Sequence, residues 1–274
     1  MGLIAPGQYI APPAIEALRF GLYSTSLMPE GPARWDLGIE WEPIAGERAE
    51  LRPSECVNDY TIDIELRAGE ETREGIPFLV VGSYECAAQS RPLDEAEERA
   101  RLHLAAGEER AAEYAIASGV MGNLPTFQGA DDLTPSGGAV GIVQAMSLLE
   151  SGLAKTFGSL GAVHAPRALG PVMADHGQFE RVGQHLETGL GTYVALGGGY
   201  DLANLGPDGE EPDEGEFWIY ATGRPSIRRG EIFTQPDDES FINRETNMVA
   251  IMAQRAMLVS WSGPTLAVLV APFD

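Results

Sequence analysis

Several residue patterns that mark common protein classes are missing from this chain of 274 residues. Its only cysteines are Cys56 and Cys86, and there is no Cys-x-x-Cys pair or cysteine–histidine cluster, which excludes a disulfide framework and a structural zinc site. The sequence leaves open whether these two thiols pair or stay reduced in a core. No apolar run reaches the roughly 18 residues of a membrane span, and residues 1–13 have no basic segment, so we predict neither a membrane span nor a secretory signal.

Positive charge is also scarce. Lys155 is the only lysine among 18 basic residues, and 41 acidic residues give a formal net charge of −23. Sequence-independent nucleic-acid binding needs a concentrated cationic face, and no such cluster occurs, so we exclude a nucleic-acid-binding surface. Hydrophobic residues make up 44% of the chain, which is enough for a globular core.

Histidine and serine patterns do not form a recognisable active site. His164, His176 and His185 are spaced 12 and 9 residues apart, which matches no single face of a helix or strand. No Gly-x-Ser-x-Gly nucleophile elbow occurs. A small α/β hydrolase built on residues 120–225, with these histidines in its site, remains an alternative to a structural protein.

Glycine-rich and acidic segments lack the context of a ligand-binding loop. Glycines at 189–191 and 197–199 flank a predicted strand instead of opening a helix, so turns or close backbone packing explain them. The acidic run 208–216 contains proline and lacks the alternating oxygen ligands of a calcium loop, so we predict a solvated loop. We therefore predict no catalytic residue, no cofactor and no metal, and not an enzyme.

The N-terminal third reads as two extended segments. Prolines interrupt residues 1–40, which we interpret as an arm with two helical turns at 14–20. Residues 41–80 read as a long, charged β-hairpin, because apolar and polar residues alternate at 61–66 and a second strand follows at 77–84. A hairpin with so few apolar residues projects into solvent or lies across a partner.

The strongest helical pattern spans 92–118. Pro92 is in the first turn, acidic residues crowd the positive end of the helix dipole, and Gly119 ends the pattern. The apolar residues recur every three or four positions and predict one buried stripe, formed by Leu93, Ala96, Ala100, Leu104, Gly107, Ala111 and Tyr114.

The remaining sequence predicts an α+β fold, with helices and strands alternating after a loop at 122–138. We predict helices at 139–153 and 166–174, a short helical segment near 238–244, and strands at 161–164, 192–196, 217–220, 226–233, 248–261 and 265–270.

This order resembles the major capsid protein of tailed bacteriophages, whose fold is shared with encapsulin shell proteins. The segment 96–119 looks like the family's spine helix, which ends in a glycine. The segments 163–169 and 190–194 look like a strand-then-helix and a later strand of its axial domain. The segment 253–259, which contains Arg255, and the segment 263–268 look like the closing strands of its peripheral domain.

The resemblance implies four regions. Residues 1–40 form an N-terminal arm, 41–80 an extension loop, 81–140 with 223–274 a peripheral domain containing the spine helix 92–118, and 141–222 an axial α/β domain. It implies self-assembly through hexamers and pentamers into an icosahedral shell around a phage genome, in a virion made in the host cytoplasm. Scaffolding, portal and decoration proteins are the other implied partners, and an encapsulin-like nanocompartment is the alternative of the same fold.

The resemblance also implies contacts between subunits. Arginines of the extension loop would face acidic residues of a neighbour's spine helix, the set being Arg48, Arg52, Arg67, Arg73, Glu97, Glu98, Glu108 and Glu109. Some family members cross-link covalently through a lysine of the extension loop, but Lys155 lies in the predicted α/β region, so we predict no such cross-link.

Overall fold

The computed structural model describes residues 16–30, 34–44, 72–87, 93–235, 242–243 and 248–273. The helices in these ranges are α1 (Leu22–Thr25), α2 (Leu93–Ser118), α3 (Ile142–Thr156), α4 (Gly170–Asp175) and α5 (Gly198–Leu202). The strands are β1 (Ile39–Trp41), β2 (Arg73–Gly75), β3 (Phe78–Ala87), β4 (Asp131–Asp132), β5 (Gly161–Pro166), β6 (Glu180–Val182), β7 (His185–Glu187), β8 (Tyr193–Gly197), β9 (Phe217–Gly223), β10 (Ser226–Arg229), β11 (Phe233–Gln235), β12 (Ile242–Asn243), β13 (Met248–Ser260) and β14 (Thr265–Val270).

One sheet is built around the long strand β13. β3 pairs antiparallel with one edge of β13, from Phe78 opposite Met257 to Ala87 opposite Met248. β12, β11 and β10 pair in turn along the other edge, all antiparallel. The spine helix α2 packs across one face of this sheet, on β3 and β13.

Small residues let α2 approach the sheet closely. Its buried face repeats every four residues, through Ala96, Ala100 and Leu104. At Gly82 of β3, a Cβ atom would lie 2.3 Å from the backbone nitrogen of Leu104, so glycine is needed there. The helix ends at Gly119, whose φ of +64° suits the left-handed conformation of a helix C-terminus.

A second sheet has seven strands in the order β4-β14-β9-β5-β8-β7-β6. β5 and β8 are parallel to each other, as are β14 and β4, and the other pairs are antiparallel. α3 packs on β14 and β9 with its apolar face, through Ala145, Leu149 and Leu153. The helices and the two sheets confirm the predicted α+β class, and α2 starts one residue after the predicted start of the spine helix.

The last strand differs from the sequence-based division into domains. β14 was assigned with 223–274 to the peripheral domain, but it pairs with β9 and β4 inside the seven-stranded sheet. The physical reason is its composition: a nearly continuous apolar run suits a strand covered on both faces. The short strand β4, assigned with 81–140, belongs to the same sheet.

Two shorter predictions also differ from the structure, and a third lies outside its described residues. The helical turns expected at 14–20 are absent from 16–20, and the short helix α1 follows at Leu22–Thr25. The helical segment expected near 238–244 was wrong at Ile242–Asn243, where pairing with β13 holds the chain extended. The alternating segment 61–66 lies outside the described residues, and β2 pairs with β1.

Candidate assembly surfaces

The eight predicted contact residues occupy different environments. Arg48, Arg52 and Arg67 lie outside the described residues. Arg73 is in β2, and its Nη1 donates a hydrogen bond of 2.6 Å to the carbonyl oxygen of Gly263, in the turn between β13 and β14. This bond holds the base of the predicted extension loop against the body of the same chain.

The first half of α2 keeps its acidic residues at the surface. Glu98 is exposed and Glu97 is partly exposed. The two residues lie on the side of the helix away from Ala96 and Ala100, which pack on the sheet. Of the predicted contact residues that the structure describes, this pair leaves its carboxylates available to another copy.

Glu108 has a different role, because it continues the buried stripe four residues after Leu104. Its side chain forms ion pairs with Arg229 of β10 and Arg255 of β13, the latter through Nη1 at 2.7 Å from Oε2. The residue is 5% exposed. Glu108 therefore joins the spine helix to two strands of its own chain, whereas the sequence had suggested a neighbouring subunit.

Glu109 and Glu113 attach two other elements to the spine helix. Glu109 Oε1 accepts a hydrogen bond of 2.8 Å from the backbone N–H of Tyr23 in α1. Glu113 accepts two, through Oε1 from Leu22 at 3.0 Å and through Oε2 from Gly199 of α5 at 2.9 Å. The three carboxylates thus connect α1, α5 and the β13 sheet to one helix.

Glycines make room for the Glu113 carboxylate. A Cβ atom at Gly21 or at Gly197 would lie 2.6 Å or 2.4 Å from atoms of Glu113. At Gly199 it would lie 2.3 Å from the backbone oxygen of Arg110. Close packing, one of the two explanations that the sequence offered for the glycines at 197–199, therefore holds at Gly197 and Gly199.

Burial changes the acidity of these groups. It raises the pKa of Glu113 from 4.5 to about 7, and the hydrogen bonds from Gly199 and Leu22 only partly oppose this. Burial also raises the pKa of Glu109. The pKa of Tyr23 is raised as well, first by burial and then by the nearby charge of Glu108. Sequence reasoning missed Glu113 altogether, since a glutamate on a helix is ordinarily solvated.

The histidines do not converge. His164 is buried between the hydroxyls of Tyr200 and Thr222, each 2.9 Å from a ring nitrogen, and burial lowers its pKa to about 3. His185 lies 2.7 Å from Glu187, and His176 is exposed at the end of α4. In the part of the chain that the structure describes, no group of three potential metal ligands comes together.

The outer face of the β13 sheet exposes several apolar side chains, next to the polar residues Ser83, Glu85 and Gln254. Leu79 and Val81 of β3 are 59% and 50% exposed, while their neighbours Phe78 and Val80 point towards α2. Met252 of β13 and Phe233 of β11 share the outer face by their register and are 43% and 59% exposed. An exposed apolar patch of this kind is typical of an interaction surface. Among the described helices, none is long and apolar enough to cross a membrane.

The comparisons with known proteins point to one fold. No protein-family model and no curated protein matches the sequence. A chain from the capsid of a native GTA particle superposes with a TM-score of 0.55 at 11% identity, covering 98% of this chain and 96% of that chain. A chain from Microbacterium phage Oxtober96 gives 0.53 at 14% identity, with the same two coverages of 98% and 96%.

The capsid of cyanophage Pam1 is similar as well, with a TM-score of 0.51 at 9% identity over 99% of this chain and 98% of that chain. Each of these alignments spans nearly the whole of both chains, so the likeness extends over the chain and is not confined to one part of it. The chain therefore has the major capsid protein fold of tailed phages, as the sequence resemblance implied.

Proposed function

We propose that this chain is a structural subunit that assembles with copies of itself into an icosahedral shell around a phage genome. The observation that carries the proposal is the match to the capsid of the native GTA particle, over 98% of this chain. In the described part of the chain no three potential metal ligands come together, and His164 and His185 contact different partners. A structural role needs neither a metal site nor a histidine cluster.

The exposed sheet face supports a role in assembly. Leu79, Val81, Met252 and Phe233 form an apolar surface that another copy would cover. In the proposed shell another subunit covers this face. The spine helix lies on the opposite face of the sheet. There the arginines Arg48, Arg52 and Arg67 of a neighbour's extension loop, residues 41–80, approach Glu97 and Glu98, an arrangement that sets the register of the contact more than its affinity.

The acidic composition fits a container for nucleic acid. A net charge of −23 repels the phosphate backbone, so DNA packs against the inner wall without being held by it. The subunits would form hexamers and pentamers, with scaffolding, portal and decoration proteins as further components, and would be made in the host cytoplasm before they join the virion.

Electron microscopy of the purified chain tests the proposal. We expect closed icosahedral particles in negative stain, and denaturing gels of those particles without ladders that resist reductant, because no lysine is present in residues 41–80. Small, discrete oligomers with hydrolytic activity would favour the enzyme alternative instead.

A matched pair of variants tests the sheet face. Leu79→Glu places a charge on the apolar surface and should prevent particle formation while the isolated chain keeps its circular dichroism spectrum. Leu202→Glu adds the same charge at a position of similar exposure, 63% against 59%, away from this face. Equal effects of the two substitutions would contradict a specific role for the sheet face.

A further inference from the structure

A pocket with aromatic walls lies beside the base of the predicted extension loop. It has a volume of about 590 Å³ and is bounded by β1, the end of α3, the end of β9 and the strands β10 and β13. Its walls include Trp41, Phe157 and Tyr193, and it contains two arginines, Arg224 and Arg228. One carboxylate, that of the exposed Glu40, also contributes to the lining.

The two arginines lack an acidic partner in the described part of the chain. The guanidinium of Arg224 lies 4.2 Å from the centre of the Tyr193 ring, and its Nε donates a hydrogen bond of 3.0 Å to the carbonyl oxygen of Thr25. The Nε of Arg228 is fully buried and has no hydrogen-bond partner there. No described carboxylate forms an ion pair with either residue. Leaving a partly buried guanidinium without an anion is costly, so the pocket suits an acidic partner that the described part of this chain does not supply.

A strongly acidic loop protrudes elsewhere on the same molecule. The run 208–216 connects α5 to β9 and is closed by a hydrogen bond of 2.7 Å from the backbone N–H of Gly206 to the carbonyl oxygen of Glu210. Pro212 lies in the middle of this loop between two acidic residues. The exposed carboxylates are those of Asp208, Glu210, Glu211, Asp213 and Glu214.

The loop and the pocket lie at opposite ends of one strand. The loop ends where β9 begins at Phe217, and Arg224 directly follows the last residue of β9, Gly223. Seven residues of extended strand separate the two by about 20 Å, so the loop cannot enter the pocket of its own subunit. Two complementary patches at different places on one subunit favour head-to-tail contacts, which close into rings when the rotation between copies allows.

We propose that the acidic loop 208–216 of one subunit docks in the arginine pocket of the next subunit of the same ring. Its carboxylates pair with Arg224 and Arg228, and Pro212 packs against the aromatic walls. This inference rests on the proposed shell function and adds the surface through which copies recognise each other. Charge pairing at such a contact mainly determines which surfaces meet.

Charge reversal on each side tests the contact. The loop variant carries Glu210→Lys, Glu211→Lys and Asp213→Lys, and the pocket variant carries Arg224→Glu and Arg228→Glu. Each variant alone places like charges together, so the concentration at which particles first form should rise at least tenfold. A chain carrying all five substitutions has opposite charges at every contact and should assemble near the wild-type concentration. An equimolar mixture of the two variants should restore only rings with an even number of subunits, such as hexamers, because a pentamer keeps at least one contact between like charges.

The controls separate this inference from the shell function. The substitutions Asp175→Lys and Glu180→Lys reverse exposed charges away from both surfaces and should leave assembly unchanged. If the pocket variant does not fold by circular dichroism, the loop variant alone decides, since its substitutions are on an exposed loop. Wild-type particles together with a loop variant that assembles normally would overturn the docking contact and leave the shell function intact. A wild-type chain that stays monomeric would overturn both.

Discussion

The carboxyl group of Glu113 should make the stability of the subunit depend on pH. Its pKa is about 7 in the folded chain against 4.5 as the ordinary value. The folded state therefore binds this proton more tightly than the unfolded state does, so the contribution is complete below pH 4.5 and is lost as the pH rises through 7. The shift of about 2.5 units corresponds to about 3 kcal/mol in total, of which about 2.5 kcal/mol falls between pH 5 and pH 8.

Glu113→Gln removes this titration. We expect the free energy of unfolding of the wild type, minus that of the variant, to fall by about 2.5 kcal/mol from pH 5 to pH 8. Urea unfolding followed by circular dichroism measures it, at concentrations too low for assembly. The sequence pI of about 4.4 makes lower pH unsuitable. The exposed Glu98→Gln, on the same helix, should show a constant difference. A constant or rising difference for Glu113→Gln would refute the reasoning.

Three further substitutions test other parts of the structure. Glu108→Ala leaves two partly buried arginines without their carboxylate and should lower the free energy of unfolding by about 3–5 kcal/mol, against under about 0.5 kcal/mol for Glu97→Ala, both measured in urea. Gly199→Ala should lower the melting temperature by several degrees because the new methyl group meets the backbone of α2, whereas Gly198→Ala has nothing within 4 Å and should not. In the wild type, His164 should lower the free energy of unfolding by about 2 kcal/mol between pH 8 and pH 5, because its pKa of about 3 means that the folded chain accepts only the neutral imidazole. His164→Gln should abolish this loss. A wild type and His164→Gln with parallel pH profiles would contradict that assignment.

The spine helix shows what local sequence can and cannot predict. Its ends and its first buried residues follow from proline, glycine and the spacing of Ala96 and Leu104. In its second half the predicted stripe passed through Gly107 and Ala111, whereas the buried face passes through Glu108 and Ala112. The difference arises because burial of Glu108 depends on arginines 121 and 147 residues later in the chain, and no local pattern records them.

The candidate contact residues show the same limit. The sequence identified acidic residues of the helix as a group, but only tertiary structure separates Glu98 at the surface from Glu108 and Glu109, which bind elements of their own chain. No pattern in the sequence singled out the pocket arginines Arg224 and Arg228 either. Their significance comes from aromatic neighbours brought together from β1, α3 and β8.

The position of β14 in the seven-stranded sheet has a consequence for synthesis of the subunit. This strand lies between β9 and β4 and is covered by α3, yet it is made after all of them. Until residues 265–270 have left the ribosome, β9 has an open edge and α3 lacks much of the surface on which it packs. Products that terminate before residue 265 therefore cannot complete this sheet, and the subunit becomes competent to join other copies only after residues 265–270 have been made.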